Sequence, residues 1–432
     1  MEKKPEIREL SLYVHIPFCR AKCNYCDFLS FGGCGYSVQK QYAEALCREI
    51  AAYETIAGEY TVKSIFFGGG TPSYMDVSLL EQVMESIRRV FSVKQDAEIT
   101  IEGNPDSLTR EGLVVYRKLG INRLSIGLQS TNDEMLQRLG RVHNYDQFIA
   151  AYNSARQAGF NNINVDLMSG LPGESRESYI RTLGKVAELQ PEHISAYSLI
   201  VEEGTPLSEN EELLKLLPSE EEDRQLYVRT KLLLKNSGYD RYEISNYAKK
   251  GFECRHNIVY WTGGEYLGIG LGASSYLKVW LAEDHCETVR FHGVENMGEY
   301  TGRFLQCTGM MEDDYTNLFH AFENGEEESR MDKYRQYEDS ALLEFIRDYY
   351  RDLHFSTRRD EMEEFMFLGL RMTRGVSKAE FQKRFGTAVE SVYGKIITKY
   401  KEKELLLEKD DRLYLSDAGI DVSNVIMAEF ML

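Results

Sequence analysis

The chain has 432 residues, of which 69 are Asp or Glu and 51 Lys or Arg, so its formal net charge is −18. That length exceeds one ordinary domain, and the acidic balance argues against a nucleic-acid surface, which needs basic patches. The charged start Met1-Glu-Lys-Lys-Pro-Glu-Ile-Arg-Glu and the lack of an apolar run approaching ~20 residues predict a cytoplasmic protein with no transmembrane segment, peripheral membrane contact remaining open.

From residue 11 to about 244, short β-branched runs alternate with amphipathic helical stretches, the pattern of a parallel sheet built from βα units. Strands are predicted over 12–18, 62–67, 97–102, 123–128, 162–167 and 193–199, with helices such as 38–57, 78–91 and 145–158 between them. No GxGxxG follows the first strand. Polar or glycine residues sit where the strands end, and in (βα) barrels functional groups gather at those C-terminal ends. We therefore expect an α/β chain whose residues 1–244 form a partial (βα)6 TIM-like barrel, with a doubly wound open sheet as the alternative. Residues 245–309 read as a loop-rich accessory segment carrying His256-Asn-Ile-Val-Tyr-Trp261, and 310–362 as an acidic, tyrosine-rich insert with a helical stretch over 339–351. Helices at 365–371, 378–385 and 389–401 and a hairpin at 405–415 make 363–432 a C-terminal α+β unit of winged-helix type. It lacks a basic recognition face, which favours an interaction or lid role over DNA binding.

Three of the eight cysteines, Cys19, Cys23 and Cys26, follow the first strand at a C-x3-C-x2-C spacing. Thiolates select zinc, copper(I) or iron–sulfur clusters, and a four-iron cubane held by three cysteines keeps one iron open to a non-protein ligand. A zinc knot with His15 or a distant cysteine as fourth ligand is the competing reading, although closed zinc sites pair two two-ligand knuckles and no second knuckle is present. Gly68-Gly69-Gly70-Thr71-Pro72 after the second strand lets a ligand approach the backbone, or forms only a tight turn. Glu102 ends the third strand as an acceptor for an amine or ribose hydroxyl; a surface helix cap is the bland alternative. Gln129 and Asp166 carry suitable groups for ribose or adenosyl contacts, and Arg141 for a carboxylate. His256, with Tyr260 and Trp261 nearby, is either an axial ligand beside a flat stacking surface or a packed, hydrogen-bonded core histidine.

Across nearly its full length the chain resembles the HemN/HemW group of radical S-adenosylmethionine (SAM) proteins. The resemblance lies in Tyr13-Val-His-Ile-Pro-Phe-Cys, the cysteine loop ending Cys-Asp-Phe, Gly-Gly-Gly-Thr-Pro, Ile-Glu-Gly-Asn-Pro, Leu-Ser-Ile-Gly-Leu-Gln-Ser, Asn-Val-Asp-Leu-Met-Ser-Gly-Leu-Pro-Gly and Tyr242-Glu-Ile-Ser-Asn-Tyr-Ala. It implies a 4Fe-4S cluster on Cys19, Cys23 and Cys26, SAM at the barrel mouth and a C-terminal domain over it. Tyr13, Gly69 and Glu102 match the family's first SAM site; Tyr25, Gly70, Thr71, Gln129, Arg141, Asp166 and Ile200 match a second described in its oxidase branch. The coproporphyrinogen III oxidases carry a fourth cysteine where this chain has Phe28, whereas the heme-chaperone branch is similar in ending Cys-Asp-Phe and in its His-Asn-x-x-Tyr-Trp motif. The resemblance thus implies heme as cargo, His256 as its iron ligand, recipient hemoproteins such as respiratory ones, an electron donor, and a homodimer as the oligomer to test. Radical oxidation of a porphyrinogen and a zinc-stabilised binding module are the competing functions, and whether SAM is cleaved stays open.

Overall fold

Six parallel strands lie side by side in the order in which the chain makes them. The computed structural model describes residues 7–282, 285–306, 346 and 350–431. Its central strands are β1 (Arg8–Ile16), β2 (Tyr60–Gly69), β3 (Ser92–Gly103), β4 (Arg123–Gln129), β5 (Ile163–Ser169) and β6 (His193–Ser198), each parallel to the next. Parallel neighbours need crossovers, supplied here by α1 (Tyr36–Ala52), α2 (Val77–Val90), α3 (Arg110–Lys118), α4 (Tyr145–Gln157) and α5 (Arg176–Glu188), with α6 (Glu220–Asn236) after β6. Leu79, Leu80, Val83, Met84 and Ile87 of α2 recur at helical spacing and are all buried. Asp76, Thr109, Asn144, Ser175 and Ser219 accept a backbone N–H at the starts of α2 to α6, contacts worth about 0.5–2 kcal/mol each.

The barrel is partial because both of its edges continue into other strands. β7 (Asp240–Arg241) and β8 (Asn246–Ala248) run antiparallel beyond β6. On the other side β9 (Tyr266–Ile269) joins β1 in parallel, and β10 (Ser274–Ala282), β11 (His285–His292) and β12 (Arg351–Ser356) follow antiparallel. The described sheet therefore has 12 strands in the order β12-β11-β10-β9-β1-β2-β3-β4-β5-β6-β8-β7. Two differences from the sequence reading have local causes. The first strand ends at Ile16 rather than at 18, because Pro17 supplies no N–H to a ladder, and Phe18–Cys19 pairs instead with Phe31–Gly32. Residues 266–292, expected to be loop-rich, extend the sheet; their glycines hid the apolar run Tyr276-Leu-Lys-Val279.

The strands alternate with period 2. Leu10, Leu12, Val14 and Ile16 of β1 are buried in one core with Leu46 and Ile50 of α1, whereas Ser11, Tyr13 and His15 take the opposite face. Their counterparts on the neighbouring strands are Ser64, Glu98, Arg123, Ser125, Asn164, Asp166 and Ser195. Where ordinary barrels are filled by Val, Ile and Leu, this interior is polar.

α7 (Arg255–Trp261) carries the histidine motif, and α8 (Met297–Gln306) packs on α1. α9 (Arg358–Gly369), α10 (Lys378–Phe385) and α11 (Val389–Glu402) pack on a three-stranded antiparallel sheet, Val376–Ser377, Arg412–Leu415 and Leu406–Lys409, around a core of their own that includes Phe381, Tyr393 and Leu413. Of the acidic insert, residues 310–345 and 347–349 lie outside the described residues, and most of its expected helical stretch with them. No helix among the described residues is long and apolar enough to cross a membrane.

Candidate functional site

The cysteine loop and the glycine loop are tied together at the end of the barrel where β1 and β2 finish. Gly70 N–H donates to Ile16 O (2.9 Å) and Thr71 N–H to Phe18 O (2.8 Å). A Cβ on Gly70 would lie 2.9 Å from Phe18 O and 3.0 Å from Cys19 Sγ, so only glycine leaves room beside that sulfur. Cys19 is 8% exposed, and Cys23 and Cys26 are half-buried. Burial pushes the Cys19 thiol up and Cys26 up to about 11, so ligation has to displace protons from both. Donors are in place to hold the resulting negative sulfur. Arg141 Nη1 donates to Cys23 Sγ (3.5 Å), and a relay runs from Arg141 Nη2 to Asn104 Oδ1 (2.6 Å), from Asn104 Nδ2 to Thr71 Oγ1 (2.9 Å) and from Thr71 Oγ1 to Cys19 Sγ (3.4 Å). Three thiols, two of them with side-chain donors aimed at the sulfur, and a side-chain-free wall fit a cluster.

His15 does not fit the zinc alternative. Leu29 O can only accept, so His15 Nε2–H donates to it (2.9 Å), and Nδ1 takes the Tyr13 hydroxyl (3.1 Å). Both ring nitrogens are used, and among the described residues no three His, Cys, Asp or Glu side chains converge on one ion, whereas a single zinc needs ligands at about 2.0–2.3 Å.

Beside the loops, a cavity of about 250 Å³ is lined by Tyr13, Gly69, Glu102 and Asp166, together with Phe28, Arg123, Tyr197 and His256. Gly69 has φ +113°, and a Cβ there would lie 2.5 Å from His15 Cε1. Its N–H donates to Glu102 Oε2 (3.2 Å). Burial, then repulsion from Asp166, pushes the Glu102 carboxyl up to about 8, so a cationic ligand would be taken up with release of its proton. Asp166 also sits above its usual range through burial, while Ser125 (2.9 Å) and Asn164 (2.8 Å) donate to its two oxygens.

The remaining expected residues form a second group. Gln129 adopts φ +72° at the end of β4, and a Cβ on Gly127 would meet Asn104 Oδ1 at 2.9 Å and Arg141 Nη2 and Gln129 Nε2 at 3.2 Å each. Tyr25 packs against Met135, Leu139 and Leu171. Arg141 donates inward to Asn104 and Gly127 O, with Nε left unpartnered among the described residues. Ile200 is 68% exposed and lines neither group. Asn104 and Arg123 escaped the sequence reading as site residues, although Asn104 lies in the Glu-Gly-Asn-Pro turn at a strand end, a position that signals function in barrels.

His256 lies inside the barrel, 1% exposed, among residues of β1, β2 and β3. Its backbone N–H donates to Glu98 Oε1 (3.0 Å), which anchors α7 to β3. Ser64 already donates to Ser11 (2.8 Å), so His256 Nδ1–H donates to Ser64 (2.9 Å), and Nε2 accepts from Tyr260 Oη (2.9 Å). Burial, with Arg123 and Lys63, pushes this imidazole down to about 3, so it is neutral. Phe28, 63% exposed, stands at the edge of the same cavity.

Residues 13–186 match the family model of the Radical SAM superfamily, and residues 356–422 that of the HemN C-terminal domain. The heme chaperone HemW of Bacillus subtilis (strain 168) is 33% identical over 98% of this chain and 99% of its own length. That of Lactococcus lactis subsp. lactis (strain IL1403) is 31% identical over 98% and 97%, and that of Escherichia coli (strain K12) 39% identical over 61% and 69%. Among solved structures, coproporphyrinogen III oxidase (HemN) from Escherichia coli, a radical SAM enzyme, superposes with a TM-score of 0.77 at 22% identity over 99% of this chain and 91% of that one, a likeness of fold.

Proposed function

Because this chain belongs to the HemW family of the radical SAM superfamily, we propose that it binds heme and hands it to hemoproteins, carrying a 4Fe-4S cluster and SAM at the barrel mouth. The observation that carries this reading is the end-to-end likeness to HemW, 33% identity over 98% of the chain, together with Phe28 in place of a fourth cysteine and the His256 motif. Cys19, Cys23 and Cys26 would hold the cluster, which would supply single-electron chemistry beside the SAM sulfonium. Glu102 takes the SAM ammonium and yields its proton, Gly69 leaves the backbone open beside it, and Tyr13 walls the cavity. Arg141 and Thr71 donate to the Cys23 and Cys19 sulfurs that would bind it. Gly70, Tyr25, Gln129 and Asp166 contact a second SAM or the ribose of the first.

His256 ligates the heme iron through Nε2. Its proton is fixed on Nδ1 by Ser64, so the lone pair is on the cavity side once the Tyr260 hydroxyl turns away. The protein works in the cytoplasm, with an electron donor and respiratory hemoproteins as partners, and a homodimer is the assembly to test. Anaerobically reconstituted protein should contain iron and sulfide, develop a Soret band with added hemin and lose it to an apocytochrome; failure to bind hemin refutes the reading. Anaerobic turnover with coproporphyrinogen, SAM and a reductant tests the oxidase alternative, since vinyl-group formation would replace the chaperone reading.

A further inference from the structure

α7 separates two recesses. His256, Asn257 and Tyr260 face the barrel cavity, whereas Trp261 lines a groove of about 360 Å³ between the barrel sheet and the C-terminal domain. That volume falls within the about 300–1,000 Å³ of ordinary ligand sites. Trp261, Phe365, Leu368, Met372 and Val376 make apolar walls. The Trp261 indole N–H is buried and has no partner among the described residues, and the Arg371 guanidinium lies 4.4 Å from the ring centre.

The charges around the groove are unevenly matched. Arg290 holds Glu364 through two contacts (3.0 and 2.7 Å), and Arg384 faces Glu361 at 3.5 Å. Among the described residues Arg412 donates only to carbonyls, Arg374 O and Gly375 O (2.7 Å each); burial, then the Arg374 charge, pushes its pKa down. The exposed Arg374 side chain has no hydrogen bond or ion pair among the described residues. Among the described residues, Glu380 is a lining carboxylate without a cation and Arg374 a guanidinium without a carboxylate, while Arg412 feels the neighbouring Asp411. An apolar slot walled by an indole, with the unpaired Arg374 guanidinium and the carbonyl-bound Arg412 guanidinium at its rim, suits a flat apolar ring that carries carboxylates along one edge.

A protein that passes heme by contact needs a position from which a recipient can take it. His256 is enclosed in the barrel; the groove opens to solvent past Arg374 and Glu380. We propose that this groove is the hand-over position for heme, with the macrocycle against Trp261, Phe365 and Leu368 and the propionates on Arg374 and Arg412. The proposal rests on the heme-handling reading above and adds a second, outward place for the same ligand.

The test uses the full chain and metal-free protoporphyrin IX, whose lack of iron removes any contribution from His256. The chain has two tryptophans, so Trp280→Phe leaves Trp261 as the reporter, and porphyrin binding is read as quenching of its emission. The expected result is saturable quenching, weakened about tenfold or more by Arg374→Glu and largely retained in Arg374→Lys. Protoporphyrin dimethyl ester should bind about tenfold more weakly than the free acid. Equal binding of acid and ester, or an unaltered Arg374→Glu variant, would overturn the proposal. If hemin binds the wild-type chain but protoporphyrin leaves Trp261 unquenched, the groove is refuted while the heme reading stands; if hemin fails to bind, both fall.

Discussion

Gly69→Ala is the most direct probe of the glycine loop. The backbone at 69 has φ +113°, a conformation that costs an L-residue about 1–2 kcal/mol. The added Cβ would also stand 2.5 Å from His15 Cε1 and 2.6 Å from Nδ1. The imidazole has to move, and it is held by Leu29 O and the Tyr13 hydroxyl, contacts worth about 0.5–1.5 kcal/mol each. The sum is about 2–5 kcal/mol, large against a total stability of about 5–15 kcal/mol yet short of unfolding the chain. Urea denaturation of the metal-free protein should show the loss, and calorimetric titration of the reconstituted protein should show weakened SAM binding, since Gly69 and Glu102 share a hydrogen bond. Gly58→Ala is the matched control, because Gly58 has φ −63° and nothing within 4 Å of the added carbon. A Gly69→Ala variant within about 0.5 kcal/mol of that control would refute the strain argument.

Three further outcomes follow from the site and its surroundings. With Glu102 pushed up to about 8, SAM affinity should rise between pH 6 and 8 as the carboxylate forms, and Glu102→Gln should abolish that slope; a pH-independent wild type contradicts the assignment. Glu49, buried between Tyr300 and Tyr350 and accepting from Gly270 N–H (2.9 Å), is pushed up to about 7 by burial. A carboxyl raised from 4.5 to about 7 keeps its proton longer in the folded state, so stability should fall as pH rises across that window, by about 3 kcal/mol, and denaturation midpoints of Glu49→Gln should lack this component. His256→Ala should remove the spectral signature of histidine-ligated heme and leave cluster absorbance intact, and an unchanged heme spectrum would sink its role as iron ligand.

The barrel was legible because its strands alternate so regularly. Leu10, Leu12, Val14 and Ile16 against Ser11, Tyr13 and His15 already separate a helix-covered face from a polar one, and the cysteine triplet, triple glycine and Glu102 lie at the ends of three consecutive strands, whereas Asp166, expected at a strand end, lies in the middle of β5. What stayed hidden depends on contacts with no local signal. Ser64 and His256 are 192 residues apart in sequence, and nothing near either one says that they share a hydrogen bond. The Arg141–Asn104–Thr71–Cys19 relay likewise joins four separate segments. Arg374 and Arg412 read as surface charges until Trp261 is placed beside them.

α7 has seven residues, with Glu98 gripping its first turn and recesses on both flanks. A rigid rod that short has no slack to absorb motion between its two sides. If a ligand in the barrel pushes Tyr260 aside, the displacement reaches Trp261, the next residue, within the same turn. A ligand that filled one recess would thus press on the residue next to the wall of the other, on the side of the helix where the groove opens.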